Sequence, residues 1–364
     1  MTVGFYSPLP PARTGVADYA SALLAELRRH GSVEVAPRQC SVALYHIGNN
    51  PLHAEIYRRA LERPGVAVLH DAVLHHFLLG QLDQAAYVEE FVYNWGEWRR
   101  SLAEDLWRGR AASASDARYF EFPMLRRILE RSLAVVVHNP EAAAMARQAA
   151  RVVEIPHLFS PPSPRPSESE AAAYRRGLGL AGDACLFGVF GHLRESKRLL
   201  CILDVFTELR REHPRAALLV AGDFVSSDLE RAAAPLLSQP GVVRRPHLPD
   251  ADFWLAASAV DACINLRDPA AGETSGIAIR LMGLGKPVLL TDSPAVSCFP
   301  EDTCLRVARG LAERESLRET LRLLLLANGI GSAIGLRAAE HIRERHGAPL
   351  AGKLYWELLC EHSA

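Results

Sequence analysis

The sequence predicts an α/β protein of two doubly wound domains, and three observations carry that expectation. Segments with the apolar continuity of buried parallel strands alternate with helix-like segments along the chain. The Pro/Ser-rich stretch Ser160-Pro161-Pro162-Ser163-Pro164-Arg165-Pro166-Ser167 can continue neither a helix nor a central strand, so it splits the alternation into two runs. Length agrees, because 364 residues with 49% hydrophobic composition exceed one ordinary domain and can bury two cores.

In the first run, strands are expected at residues 3–6, 42–47, 66–70, 134–138 and 152–155. The helical stretch between the third and fourth of these holds Trp95, Trp98 and Trp107. It is too long for one crossover helix and reads as an inserted helical element. In the second run, strands are expected at 185–190, 216–221, 242–244, 260–265, 288–291 and 305–307, with helical patterns following at 311–327, 333–345 and 350–359. The domains are then residues 1–160 and 171–345.

Composition excludes several function classes. A net charge of −1 with no long like-charged block disfavours nucleic acid as a partner. The seven cysteines are odd in number and scattered without metal-ligand spacing, as buried thiols of a reducing cytosol would be. The first residues read as a strand rather than a signal peptide, and no run reaches the roughly 20 apolar residues of a membrane span. A soluble cytoplasmic protein is expected, and abundant Ala and Arg suggest a GC-rich bacterial genome.

Chemistry concentrates in Gly272-Glu273-Thr274-Ser275-Gly276, followed by an apolar helix and Gly285-Lys286-Pro287-Val288. An expected strand, 261–266, enters this loop, and another, 287–292, follows the helix, which puts the loop at the carboxyl end of a parallel strand, where open α/β sheets bind ligands. A helix N-terminus carries about half a positive charge and unpaired N–H donors, which suits a diphosphate. A glutamate beside it can accept hydrogen bonds from sugar hydroxyls, so the combination suggests a sugar nucleotide. Read without a ligand, Glu273 is a favourable charge at a helix start.

This order of strand, acidic Gly loop, helix, Gly-x-Pro-Val and strand resembles the donor-binding segment of the retaining GT-B glycosyltransferases, particularly family 4. The resemblance covers essentially the whole chain. It implies two Rossmann-like domains facing a central cleft, with residues 346–364 crossing back onto the first domain. It also implies transfer of a sugar from a nucleoside diphosphate to an acceptor hydroxyl with retention, by a front-side route without an enzymic nucleophile. UDP is the favoured carrier and GDP the next; the nucleotide sugar is a co-substrate, and no cofactor is expected.

Residue by residue, the resemblance extends to the loop Gly191-His192-Leu193-Arg194-Glu195-Ser196-Lys197-Arg198. Lys197 matches the family lysine that binds the diphosphate. His192 stands where the family has an arginine, so charge there depends on pH unless Arg194 or Arg198 substitutes. Without a ligand the loop reads as a solvated basic helix start. Glu273, Thr274, Ser275 and Gly276 match the donor site, whereas Arg280 occupies the position of a ribose-binding glutamate and could pair with a phosphate or with Glu273. Gly15, in the loop Pro10-Pro11-Ala12-Arg13-Thr14-Gly15, matches a glycine loop that closes over the diphosphate, or else follows Thr14 as a plain helix cap. His70 matches a histidine that reaches the transferred sugar, and the adjoining Asp71 could assist proton removal from the acceptor. The candidate catalytic set is therefore His70, Asp71, Lys197 and Glu273.

The bland alternative makes Asp71 a helix cap with His75 and His76 at a surface. The segments Tyr45-His46-Ile47-Gly48-Asn49-Asn50 and His138-Asn139-Pro140 end strands on the same side and are weaker candidates. Asp250-Ala251-Asp252 invites a metal reading, but it follows a proline at a helix start, where aspartate is an ordinary cap; no metal is expected. Helices around Trp98, Trp107 and Arg126 interleave aromatic and basic residues, which leaves peripheral membrane contact open, although Glu97, Glu104, Asp105, Glu121 and Glu130 dilute the charge. The expected partners are a nucleotide-sugar donor and a hydroxyl-bearing glycan, lipid or small molecule. A catalytically silent sugar-nucleotide-binding subunit of the same fold is the competing reading.

Overall fold

A computed structural model describes residues 1–12, 14–149, 151–327 and 329–363. They form two compact units: Met1–Leu158 with Pro269–Gly276 and Arg345–Ala364, and Phe159–Asp268 with Ile277–Glu344. Each unit carries one six-stranded, all-parallel sheet.

The first unit contains β1 (Thr2–Tyr6), α1 (Gly15–His30), β2 (Ser32–Val35), β3 (Val42–Ile47), α2 (Ala54–Glu62) and β4 (Val66–Leu69). The inserted helical element follows as α3 (His75–Gln81), α4 (Gln84–Trp95), α5 (Arg100–Gly109) and α6 (Arg126–Arg131), and β5 (Ala134–Val137), α7 (Pro140–Ala146) and β6 (Val152–Glu154) complete the sheet. Its strand order is β2-β1-β3-β4-β5-β6, so direction reverses between β1 and β3. Edge strand β2 is absent from the sequence expectation because only Val33 of its four residues is buried, which leaves no apolar run to read.

Residues of β3 alternate between two cores, as a period of two requires. Val42 and Leu44 join Val3, Phe5, Tyr19 and Leu23 on one face, while Ala43, Tyr45 and Ile47 join Phe77, Tyr87, Phe91 and Tyr119 on the other. The last helix, α15 (Ala348–Glu361), buries Tyr355, Leu358 and Leu359 in the first of these cores, and the Tyr19 and Tyr355 hydroxyls meet at 2.9 Å.

The second unit runs α8 (Glu168–Gly177), β7 (Cys185–Phe190), α9 (Leu199–Glu212), β8 (Ala216–Ala221), α10 (Ser227–Leu237), β9 (Val242–Arg245), α11 (Asp250–Ala259), β10 (Ala262–Asn265), α12 (Gly276–Gly283), β11 (Val288–Thr291), β12 (Leu305–Val307), α13 (Glu313–Leu326) and α14 (Ile330–Arg345). The order β12-β11-β10-β7-β8-β9 reverses between β7 and β10. A capping box closes the start of α8: Ser167 accepts from Glu170 N, and the Glu170 carboxylate accepts from Ser167 N at 2.8 Å.

This division differs from the expected domains in two places. Phe159 belongs to the core of the second unit, where a side chain on Gly283 would strike its ring, so the unit starts ahead of the Pro/Ser stretch. Residues Pro269–Gly276, expected inside an unbroken second domain, group with the first unit.

Candidate functional site

In open parallel sheets the crevice for ligands lies beyond the carboxyl ends of the strands where strand order reverses. The first unit holds a histidine cluster there. His46, near the end of β3, and His70, just past β4, join Nδ1 to Nε2 at 2.9 Å. The Tyr19 ring of α1 stands edge-on to His70 at 4.9 Å and to His157 at 4.7 Å, with His138 at 5.2 Å. Burial holds His46 and His70 well below the usual histidine range, helped by neighbouring imidazoles, and pushes His53 and His138 down to about 4.

The Glu273 loop is fastened to the same sheet ends. The Ala271 carbonyl accepts from Ala72 N at 2.8 Å and from Val73 N at 3.0 Å. Asn139 caps α7 through Oδ1, accepting from Ala142 N at 2.9 Å, while its Nδ2 donates to the Gly272 carbonyl at 3.0 Å and to Thr274 Oγ1 at 2.9 Å. Gly272 has φ +70, and a Cβ there would lie 2.7 Å from Ala72 Cβ, so both backbone conformation and close approach call for glycine. The Glu273 carboxylate accepts from Ala271 N at 2.7 Å within its own loop. Thr274, Ser275 and Gly276 are half-buried beside it.

The structure thus brings His70, Asp71, Glu273, Thr274, Ser275 and Gly276 into one unit. Asp71 does not cap the following helix: its Oδ2 accepts from Asn49 N at 2.7 Å, and Asn49 Oδ1 in turn accepts from Phe77 N in the first turn of α3. His75 is buried rather than at a surface, bonded to the Tyr87 hydroxyl at 2.8 Å, and His76 meets the Ser113 carbonyl at 3.0 Å. Gly15 opens α1, whose cap is Thr14, accepting from Ala17 N at 3.1 Å; open space surrounds a Cβ placed on Gly15. Arg13 of the same loop lies outside the described residues.

In the second unit, Lys197 lies at the corresponding reversal, in a short 3-10 turn, Glu195–Lys197, after β7. It is buried, and its Nζ donates to the Phe190 carbonyl at 2.5 Å. The turn at Gly191 (φ +83) passes directly above, where an added Cβ would sit 3.1 Å from Nζ. Asp268 N, beyond β10, donates to the Ser196 carbonyl at 2.8 Å and ties the two loops flanking the reversal. His192 and Arg194 are exposed. Arg198 is committed elsewhere, forming a forked pair with the buried carboxylate of Glu313 at 2.5–2.9 Å. Among the described residues, no three His, Cys, Asp or Glu side chains converge as a metal site would require.

The structure places Arg280 against α11, its guanidinium 5.4 Å from the Phe253 ring centre, 5.3 Å from that of Trp254 and 3.5 Å from Asp250 Oδ1. Asp250 is the first residue of α11 rather than its cap, which is Pro249; it accepts from Trp254 Nε1 at 3.1 Å instead. Arg280→Ala should lower the unfolding free energy by about 1 kcal/mol through lost cation–π and ion-pair contacts. Arg280→Glu should lower it further, because it sets two carboxylates together; urea titrations of both variants measure this.

His46 and Asn139 carry more of this site than sequence reasoning assigned them. Their strand-end positions were the available signal, but the partners, His70 for one and the Glu273 loop for the other, are set only by the fold. The basic-aromatic helices resolve into ion pairs and ring contacts: Arg127 with the buried Glu90, Arg126 with Glu130, Arg100 with Glu89 and Glu97, and Arg99 and Arg110 over Trp98 and Trp107. No single helix among the described residues is long and apolar enough to cross a membrane.

No family model and no curated protein matches the chain. Solved structures do. Sucrose-phosphate synthase from Thermosynechococcus elongatus superposes with a TM-score of 0.70 at 15% identity, over 99% of this chain and 100% of that one. Anabaena HepE, solved in complex with UDP and glucose, gives 0.65 at 15% identity over 99% and 100%. WaaG, a glycosyltransferase involved in lipopolysaccharide biosynthesis, gives 0.65 at 14% identity over 98% and 99%. The chain therefore has the two-domain α/β GT-B fold.

Proposed function

We propose that the protein is a retaining glycosyltransferase that moves a sugar from a nucleoside diphosphate, UDP in the first place and GDP next, to a hydroxyl of a glycan, lipid or small molecule. The observation that carries this reading is Lys197: an ammonium held under the Gly191 turn at the strand-order reversal of a GT-B chain is suited to a diphosphate. The UDP complexes of the similar HepE structure support the choice of nucleotide.

In the proposed step the bond between the anomeric carbon and the diphosphate oxygen breaks, and the leaving group takes the electron pair. The acceptor oxygen bonds to the same face of that carbon, and its proton passes to the departing phosphate. Lys197 stabilises the charge on the leaving group, Glu273 holds donor-sugar hydroxyls and His70 supplies polarity beside them. Exposed His192 and Arg194 are the further phosphate contacts, with Arg198 held by Glu313. Membrane contact has less support, since the arginines of the helical element engage carboxylates and rings.

The test is donor hydrolysis. Purified protein offered UDP- and GDP-sugars should slowly release the nucleotide from one of them without acceptor, and that donor should raise the melting temperature. Release should survive EDTA; loss on chelation restored by manganese or magnesium would overturn metal independence. Arg280 favours a second reading, a silent sugar-nucleotide-binding subunit, because it replaces the family's ribose-binding glutamate and packs on α11. Thermal stabilisation without hydrolysis, and without transfer to any acceptor, would decide for that reading; neither stabilisation nor hydrolysis would overturn both.

A further inference from the structure

The His46–His70 contact has room for one proton, and where that proton sits decides what His70 can do. A neutral imidazole carries one N–H and one bare nitrogen, and burial keeps both rings neutral. If His70 donated from Nε2, the His46 proton would have to sit on Nε2. That atom is buried without a hydrogen-bond partner, so an N–H would be stranded. If His46 donates from Nδ1, its Nε2 is a bare lone pair and the His70 proton moves to Nδ1. Orphaned buried N–H groups are rare in native proteins, because such a group loses its water without replacement.

Two neighbours show which arrangement this core accepts. His53 Nδ1 meets the His46 carbonyl at 2.8 Å, and His138 Nδ1 meets the Ile155 carbonyl at 2.8 Å. A carbonyl can only accept, so both rings carry their proton on Nδ1. Both therefore bury a bare, unpartnered Nε2, the same pattern that the first arrangement would avoid and the second repeats.

We propose that His46 is a positioning residue that holds His70 in its Nδ1-protonated form, so that His70 offers a ligand oxygen an N–H donor and not a basic nitrogen. The inference deepens the reading of His70 as a contact to the donor sugar and rests on it for the ligand. It makes His70 a group that binds a sugar hydroxyl oxygen rather than one that takes the acceptor's proton. The Tyr19 ring, edge-on at 4.9 Å, restricts the imidazole from the side and helps hold its orientation.

Long-range proton–nitrogen NMR correlations on 15N-histidine-labelled protein read the tautomer directly. The expected result is a protonated Nδ1 and an accepting Nε2 on His70, with donor Nδ1 on His46. His46→Leu should release His70 into a tautomer mixture and raise KM for the sugar nucleotide about tenfold, while affinity for free UDP is unchanged. His46→Asn, whose amide N–H can take the place of Nδ1–H, should recover most of that loss. A proton on His70 Nε2 in the native protein, or an unaltered His70 tautomer in His46→Leu, would overturn the inference. Absence of sugar-nucleotide turnover would instead count against the functional reading and leave the tautomer assignment standing, because the spectra need no substrate.

Discussion

Replacing Lys197 with alanine should reduce sugar-nucleotide turnover roughly a hundredfold or more, the usual cost of removing one preorganised charge from a leaving group. Because Lys197 is buried, the substitution also leaves the Phe190 carbonyl unpaired, which costs about 1–3 kcal/mol of stability. Lys197→Met loses the same hydrogen bond and the charge but keeps most of the side-chain volume, so it removes the charge without opening a cavity. Both variants should lose turnover alike, with the loss in kcat, and Lys197→Met should melt closer to the native temperature. Turnover near that of the native protein in Lys197→Met would remove Lys197 from the chemistry.

Acid should unfold the first unit well before carboxylates alone would account for it. The folded-state values of His46, His53, His70 and His138 lie below the usual 6.5, with His53 and His138 at about 4, because burial disfavours their charged forms. Between pH 6.5 and 4 the unfolded chain therefore binds more protons than the folded one, and stability falls as pH falls. His53 and His138 stop contributing to that slope below about 4, and above 6.5 the four rings add none. Each ring contributes up to about 1.4 kcal/mol per pH unit over the part of that window above its folded-state value, and all four act in the same direction, so the decline should be steep. Buried His75, at about 3, adds to the same trend. Urea titrations at pH 7, 6 and 5 should show a steep decline; a flat profile over that range would mean that water reaches these rings.

Strands buried on both faces were legible because they need continuous apolar runs, and 42–47, 185–190, 216–221 and 288–291 form at the expected residues. Strand β2 was not, since an exposed edge makes no such demand. Among the candidate site residues, Glu273 and Lys197 could be picked out by local spacing. What secures the Glu273 loop and His70 could not: Asn139 reaches Gly272 across 133 positions, and His46 reaches His70 across 24. Hydrogen bonds between strand ends depend on sheet order, which periodicity does not encode. Asp250 looked like a cap because aspartate favours that position, but its indole and guanidinium partners appear only once α11 and α12 are packed.

The burial of Tyr355 against Tyr19 bears on how the protein is made. The core that holds Val3, Phe5 and Leu23 is closed by Tyr355, Leu358 and Leu359, so the earliest strands emerge from the ribosome long before the helix that covers them. At about 5–20 residues per second, the roughly 200 residues between Leu158 and Leu359 take about 10–40 s to translate. During that interval the apolar face of α1 and β1 is uncovered, and for the first half or so of it the Pro269–Gly276 segment that docks at Asn139 has yet to arrive. The second unit, apart from its closing helices, can gather its sheet in the meantime. Vectorial synthesis therefore makes the first unit the last to be completed, and nascent chains stalled before α15 are the species in which a chaperone would find exposed hydrophobic surface.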